Sequence, residues 1–182
     1  MKDANQHATT SHRECERGKL SDSIDPTDTV MVSMRDGVCL YTEIFLPPIK
    51  DHLNTSFPVV FFRSPYCYSR LSHIGNRNMM RRYSEAGYAL VFQLTRGQRP
   101  SEGKFSRYQN DADDGFDAIH WIAEQPWSNG KVGMAGSSYL GYVQLLAARQ
   151  KPPALKCIMP TAFVGNSTQC YPFSNGVPYK FA

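Results

Sequence analysis

A short strand pattern runs directly into a helix pattern in Lys131-Val132-Gly133-Met134-Ala135-Gly136-Ser137-Ser138-Tyr139-Leu140-Gly141. The strand covers residues 131–135, and apolar residues recur at helical spacing over residues 139–149. A serine at a sharp strand-to-helix turn is typical of a nucleophile elbow, where the backbone is strained and small neighbours relieve the crowding. Ser138 is therefore the candidate nucleophile.

The spacing of the glycines leaves two interpretations of this turn open. Gly136 precedes Ser138 by two residues, but Gly141 arrives one residue later than the usual G-x-S-x-G spacing requires. An ordinary Gly-Ser turn between a strand and a helix fits the spacing as well as an elbow does. In the elbow interpretation, backbone N–H groups at the start of the helix would stabilise a developing oxyanion.

The rest of the chain predicts an open α/β sheet. Residues 30–34 and 38–46 form a hairpin pattern around Asp36-Gly37, a dipeptide that favours a tight turn. Continuous apolar runs, typical of strands covered on both faces, then alternate with helical periods. The predicted strands are 57–62, 88–92, 131–135 and 155–159, and the predicted helices are 79–86, 111–125 and 139–149. This alternation places helices on both faces of a mostly parallel sheet.

Several motifs around the serine occur in one recognisable order. They are Met34-Arg35-Asp36-Gly37, Arg63-Ser64-Pro65-Tyr66, Thr95-Arg96-Gly97, Ser101-Glu102-Gly103, Asp114-Gly115-Phe116-Asp117, Gln125-Pro126-Trp127-Ser128-Asn129-Gly130 and Gly136-Ser137-Ser138-Tyr139-Leu140-Gly141. The series resembles the α/β-hydrolase domain of the cocaine esterase-like and X-Pro dipeptidyl-peptidase (S15) family over about residues 29–165. Members of that family carry G-x-S-Y-x-G at the elbow, which accounts for the position of Gly141.

The resemblance implies acyl transfer from an ester or amide by an acyl esterase or X-Pro dipeptidyl-peptidase-like enzyme, through a serine acyl-enzyme that water releases. It implies that Ser138 is the nucleophile, and that the Tyr139 backbone N–H and the Tyr66 hydroxyl are the oxyanion donors. From the residues alone, a buried tyrosine whose hydroxyl is bonded to a backbone group is the simpler reading of Tyr66. The resemblance implies no cofactor and no metal.

Two departures from the family pattern concern charged partners. Leu94 stands two residues before Arg96, where similar proteins carry an acid in a D-x-R-G sequence. Either Arg96 lacks its ion-pair partner, or the exchange is harmless. The second departure is larger, because the acid and the histidine of the triad follow the serine in this fold, and residues 139–182 contain no Asp, Glu or His.

None of the upstream histidines is a triad candidate. The five are His7, His12, His52, His73 and His120. His73 is the nearest to the predicted active edge, and His120 is expected to be packed or to cap a helix. The chain thus resembles the front part of a serine hydrolase whose sheet is incomplete at its C-terminal side. The alternative is a catalytically inactive remnant, or a half-domain that pairs with another chain.

The domain organisation is predicted from changes in polarity and apolar periodicity along the chain. Residues 1–28 are predicted to be a flexible polar leader, 29–165 a partial α/β-hydrolase domain and 166–182 an irregular tail. The net charge of +4 is concentrated in acid-free residues 139–182 rather than in a basic, aromatic-bearing face, so nucleic acid is not an expected partner. The expected partner is a small-molecule ester or a short peptide.

The amino-acid composition also leads to expectations about the cellular compartment and about metal binding. No stretch approaches the ~20 apolar residues of a membrane helix, and the first residues lack a secretory signal pattern, so we expect a cytoplasmic protein without a membrane partner. The five cysteines include no C-x-x-C pair, which argues against zinc and against a disulfide framework. An exposed sheet edge at residues 155–159 would allow self-association.

Overall fold

The computed structural model describes residues 25–48, 55–66, 77–162, 173–174 and 177–178. Its strands are β1 (Asp28–Ser33), β2 (Cys39–Phe45), β3 (Phe57–Ser64), β4 (Ala89–Leu94), β5 (Ser128–Ser137), β6 (Leu155–Thr161), β7 (Phe173–Ser174) and β8 (Val177–Pro178). Its helices are α1 (Arg77–Glu85), α2 (Asp111–Glu124) and α3 (Tyr139–Arg149). Most of the predicted leader, and His7, His12, His52 and His73, lie outside the described residues.

Six strands form one sheet in the order β1-β2-β4-β3-β5-β6. β1 pairs antiparallel with β2, and β2 pairs antiparallel with β4. β3 lies parallel between β4 and β5, and β6 continues the parallel part beyond β5. The predicted fold class, a mostly parallel sheet with an N-terminal antiparallel hairpin, is confirmed.

The hairpin turn between β1 and β2 forms where Asp36-Gly37 predicted it. Gly37 has φ +83°, a left-handed conformation that costs glycine little. The Met34 N–H donates to the Val38 carbonyl at 2.9 Å, and the Val38 N–H donates to Asp36 Oδ1 at 3.2 Å. The turn thus places the Asp36 carboxylate at the carboxyl edge of the neighbouring parallel strands, where it pairs with Arg96.

Alternating side chains of β3, β4 and β5 bury two apolar layers. One layer packs against α2 and the C-terminal part of α3; it includes Val59, Phe61, Val91, Ile119, Ile122, Val132 and Ala147. The other packs against α1; it includes Val60, Phe62, Met80, Leu90, Phe92 and Leu140. Both faces of β3 and β4 are therefore covered, which explains why their sequences are continuous apolar runs.

A cluster of buried charges joins the sheet to α2. Arg63 on β3 is fully buried, and its guanidinium lies 3.4 Å from Asp111 Oδ1 and 3.5 Å from Asp114 Oδ2. Arg96, just after β4, binds the other oxygen of Asp114 at 2.6 Å and reaches Asp36 at 2.7 Å. Four of these residues are buried, and the Asp36 side chain is 47% exposed at the rim; we call the five together the buried ionic cluster. It ties the hairpin turn, β3, the loop after β4 and the start of α2 to one another.

Arg96 is paired even though Leu94 replaces the expected acid. Hydrogen bonds to the Asp114 and Asp36 carboxylates raise the pKa of the Arg96 guanidinium. Leu94 itself is fully buried in the apolar layer that packs against α1. The first of the two expectations for Arg96, a missing ion-pair partner, is therefore wrong, because carboxylates from the hairpin and from α2 reach the guanidinium.

Other differences from the sequence prediction concern element ends and the tail. β3 and β5 extend to Ser64 and Ser137, beyond their last strongly apolar residues, because parallel pairing to β4 and β6 continues there. The tail, predicted to be irregular, contains the short antiparallel pair β7–β8. Among the described residues, no helix is both long and apolar enough to cross a membrane.

Replacing Asp114 tests the importance of the buried ionic cluster. Asp114→Asn removes a buried charge that faces two guanidinium groups, and we expect it to lower the free energy of unfolding by about 3–5 kcal/mol. Urea unfolding followed by circular dichroism measures this change. The control is Asp113→Asn, whose ion pair with Arg35 is about half exposed and should contribute less than about 1 kcal/mol. Equal effects for the two variants would contradict the assignment.

Candidate active site

Ser138 occupies the junction between β5 and α3 in a strained backbone conformation. Its φ and ψ are +58° and −121°, far from the helix that begins at the next residue. The Ser138 N–H donates to the Thr161 carbonyl of β6 at 3.0 Å, and the Ser138 carbonyl accepts from Gly141 N at 3.0 Å and Tyr142 N at 3.1 Å. These bonds fasten the residue on both sides while its side chain remains exposed.

Gly136 is required by close packing at this corner. Its φ is +134°, and a Cβ atom built on it would lie 2.5 Å from Leu140 Cβ. Gln144, fully buried on α3, donates to the Gly136 carbonyl at 3.1 Å and to the Leu140 carbonyl at 2.9 Å. Its side-chain oxygen accepts from Met159 N on β6 at 2.9 Å. One amide side chain therefore links β5, α3 and β6 behind the serine.

The backbone N–H and the phenol of Tyr139 lie in different surroundings. It is the first residue of α3, so its backbone N–H belongs to the helix N-terminus, where orphan donors favour negative charge. Its side chain is buried, and the phenol donates to Asp111 Oδ2 at 2.6 Å. Burial, and then the negative charge of Asp111, raise the pKa of the Tyr139 phenol.

Tyr66 follows β3 at the same edge of the sheet as Ser138. Phe61 of β3 pairs in register with Met134 of β5, so the carboxyl ends of the two strands lie side by side. The Tyr66 N–H donates to Ser64 Oγ at 3.1 Å, and the partly buried ring packs against the layer that contains Leu140. This edge is where open parallel sheets bind ligands. The oxyanion roles of Tyr66 and Tyr139 stay predictions.

Tyr108 is a residue of this region that no sequence motif indicated. It has φ +64°, its N–H donates to the Tyr139 hydroxyl at 3.3 Å, and its ring stacks on that of Tyr139 at 4.6 Å. Burial raises the pKa of the Tyr108 phenol, and the nearby Tyr142 and Tyr66 phenols add to the shift. A loop tyrosine gives no periodic signal, so only the tertiary structure could bring it to the elbow.

His120 lies away from this edge, and packing, one of the two alternatives predicted for it, is not what the structure shows. It is exposed, and its Nε2 lies 3.3 Å from Glu124 Oε1 one helical turn further on. Asp111, at the start of the same helix, contacts the elbow; His120 follows nine residues later, about 13 Å further along the axis. Among the described residues, no group of three or more His, Cys, Asp or Glu side chains is arranged to hold a metal ion.

The sequence matches the family model described as X-Pro dipeptidyl-peptidase (S15 family) over residues 36–180. The chain belongs to the S15 family. The cocaine esterase of Rhodococcus sp. (strain MB1 Bresler) is 38% identical over 133 residues, which cover 72% of this chain and 22% of the esterase. The S15 chain thus spans about a fifth of the length of that curated relative.

Solved structures agree with the S15 assignment. A CocE/NonD family hydrolase from Staphylococcus aureus is 29% identical with a TM-score of 0.69, covering 83% of this chain and 29% of that one. An aminopeptidase from a marine sediment archaeon, Thaumarchaeota archaeon, is 29% identical with a TM-score of 0.65, covering 88% and 29%. The α/β-hydrolase resemblance predicted from the motifs is therefore confirmed.

Replacing Gly136 tests whether the elbow is as closely packed as described. In Gly136→Ala the new methyl group meets Leu140, so we expect unfolding free energy to fall by about 2–4 kcal/mol from overpacking and backbone strain. The control is Gly130→Ala, also at positive φ (+75°) but with open space around the added Cβ; it should cost about 1 kcal/mol. Chemical denaturation of both variants gives the comparison, and a loss for Gly136→Ala no larger than the control would show that the corner tolerates a side chain.

Proposed function

We propose that this chain carries the nucleophile and the oxyanion hole of a serine hydrolase that transfers acyl groups from an ester or amide. The observation that carries the proposal is the exposed Ser138 held at φ +58° between β5 and α3. Such strain persists only where the surroundings over-determine it, and it concentrates at functional sites. Membership of the S15 family supports the same chemistry.

The proposed reaction begins with attack of Ser138 Oγ on the substrate carbonyl carbon, while a base takes the hydroxyl proton. Negative charge then develops on the carbonyl oxygen, which would accept hydrogen bonds from the Tyr139 backbone N–H and the Tyr66 hydroxyl. The leaving alcohol or amine departs with a proton. Water then attacks the acyl-serine ester and releases the acid.

The base and its acid partner are the groups that this chain does not offer at the expected place. Residues 139–182 contain no Asp, Glu or His, and His120 lies far along α2. We therefore propose that the chain by itself has very low activity, because a serine hydroxyl is a weak nucleophile without an adjacent base.

The substrate class is proposed from the relatives. The matching family is described by its X-Pro dipeptidyl-peptidases, and the relatives include a cocaine esterase and an aminopeptidase. Serine chemistry of this kind serves esters and peptide amides alike. We propose a small ester or a short peptide as the substrate; the cytoplasmic location stays a prediction from the sequence.

Labelling with a fluorophosphonate probe tests the proposed nucleophile. We expect slow phosphonylation of Ser138 that exceeds the rate in the urea-unfolded chain, because the elbow presents the hydroxyl beside backbone donors. Intact-mass spectrometry with peptide mapping measures the site and the rate.

Two serine variants make the labelling experiment specific. Ser138→Ala should abolish the signal, whereas Ser137→Ala, which removes the hydroxyl of the preceding and also exposed residue, should keep it. Labelling that survives in Ser138→Ala, or that is no faster than in the unfolded chain, would refute the proposed function. Rapid, saturable labelling of Ser138 would instead show that a base is present and that the isolated chain is a competent enzyme.

The outer edge of β6 supports a proposal about association. Among the described strands, β6 ends the sheet beyond β5, and its Cys157 and Met159 side chains are exposed, Met159 by 54%. An unpaired edge with apolar side chains is a template for strand addition. We propose that a second copy of the chain pairs there.

Sedimentation velocity tests this association. We expect the chain to form a concentration-dependent dimer and Met159→Lys to shift it to monomer, because a charge on an edge strand opposes strand addition. The control is Met31→Lys on β1 at the opposite edge of the sheet, where the methionine is also exposed; it should leave the dimer intact. A wild-type chain that remains monomeric at high concentration would exclude the proposal.

A further inference from the structure

We infer that the side chains of Asp111 and Tyr139 act as a positioning pair, which holds the Tyr139 backbone N–H in place beside Ser138. The inference rests on the proposed function and adds two side chains to its machinery. Neither side chain touches the reacting atoms; both act through the backbone of the elbow.

The bond between the pair is short and lies inside the protein. The Tyr139 hydroxyl donates to Asp111 Oδ2 at 2.6 Å, a length typical of a charge-assisted O–H···O⁻ hydrogen bond. Asp111 is 4% and Tyr139 6% exposed. Asp111 is the first residue of α2 and Tyr139 the first residue of α3, so a single bond joins the N-termini of two helices.

Arg63 holds Asp111 through the carboxylate oxygen that Tyr139 does not use, so the acceptor of the Tyr139 hydrogen bond is fixed in place. Arg63 Nη1 lies 3.4 Å from Asp111 Oδ1 and donates to the Asp111 carbonyl at 2.9 Å. Arg63 is in turn held by Gln93, whose Oε1 accepts from its Nε at 3.0 Å. The two carboxylate oxygens of Asp111 are thus used by different elements, β3 on one side and α3 on the other.

Tyr139 directly follows Ser138, so holding the Tyr139 side chain also restrains the peptide unit between the two residues. Ser138 is strained at φ +58°, and its relaxation would rotate the peptide unit that carries the Tyr139 N–H. That rotation would withdraw the phenol and leave a buried carboxylate without its hydrogen bond, which is costly. The bond from Ser138 N to the Thr161 carbonyl restrains the preceding peptide, and the Asp111–Tyr139 pair restrains the following one.

Tyr139→Phe removes the hydroxyl, and with it the bond to Asp111 and the acceptor of the longer 3.3 Å bond from the Tyr108 N–H. The ring and its stacking on Tyr108 remain, and all charges of the buried ionic cluster are kept. The control is Tyr142→Phe in the same helix, which removes a phenol next to Tyr108 but not the one that binds Asp111. Urea unfolding first establishes the folded fraction of each variant, so that each rate is expressed per folded molecule.

The first readout is the fluorophosphonate labelling rate at Ser138. A positioning role predicts labelling about tenfold slower in Tyr139→Phe, less than the 100-fold or greater loss for removing an oxyanion donor outright. Tyr142→Phe should label within about twofold of the wild-type rate. A purely structural bond would change stability and leave the rate per folded molecule unchanged, which would overturn the inference.

A double-mutant cycle tests whether Asp111 acts through the phenol. Asp111→Asn should slow labelling in the wild-type background but add nothing to Tyr139→Phe, since partners in one bond give non-additive effects. Its separate effect on stability, through Arg63, should persist in both backgrounds. Additive slowing in the double variant would contradict the pair.

The second readout separates this inference from the proposed function. The Ser138 amide is bonded to the Thr161 carbonyl of β6, and the Gly141 amide to the Ser138 carbonyl. Hydrogen exchange of both amides should become about tenfold faster in Tyr139→Phe and stay unchanged in Tyr142→Phe. If wild-type Ser138 takes no label, the proposed function fails, and exchange alone decides the pair. Unchanged exchange in Tyr139→Phe would then overturn it.

Discussion

The buried Arg63 guanidinium is the constraint on which much of this structure depends. A charge removed from water must be paired and hydrogen-bonded, and here the partners come from α2 through Asp111 and Asp114. Asp114 then binds Arg96, and Arg96 reaches Asp36 in the hairpin turn. Because these groups belong to separate elements, pairing the Arg63 charge also fixes where the helix, the loop and the hairpin meet the sheet.

The same cluster connects the core to the elbow. Asp111 faces Arg63 with one oxygen and the Tyr139 phenol with the other. On the opposite side of the corner, Gln144 bonds to β5, α3 and β6. A serine at positive φ therefore sits between two buried polar anchors. Parallel strands whose carboxyl ends share one edge leave its side chain facing outward at the place where a ligand would bind.

Family membership accounts for the fold and the proposed chemistry, whereas the chain's own residues show which of the required groups are present. S15 membership explains the sheet order, the G-x-S-Y-x-G corner and the chemistry proposed for it. The chain spans 22% of its esterase relative, and the residues after Ser138 include no acid or histidine. The described residues account for how the proposed nucleophile and anion site are built, and the proton acceptor is a separate requirement of the chemistry.

The sequence by itself determined the element order, the hairpin at Asp36-Gly37 and the position of Ser138 between a strand and a helix, because periodicity, turn residues and glycine spacing are local properties of the chain. Only the tertiary structure decided that Arg96 has partners from the hairpin and α2, that Tyr108 reaches the elbow and that Asp111 binds Tyr139. These contacts join residues distant in sequence, and the register of the parallel strands and the packing of α2 against α3 bring them together.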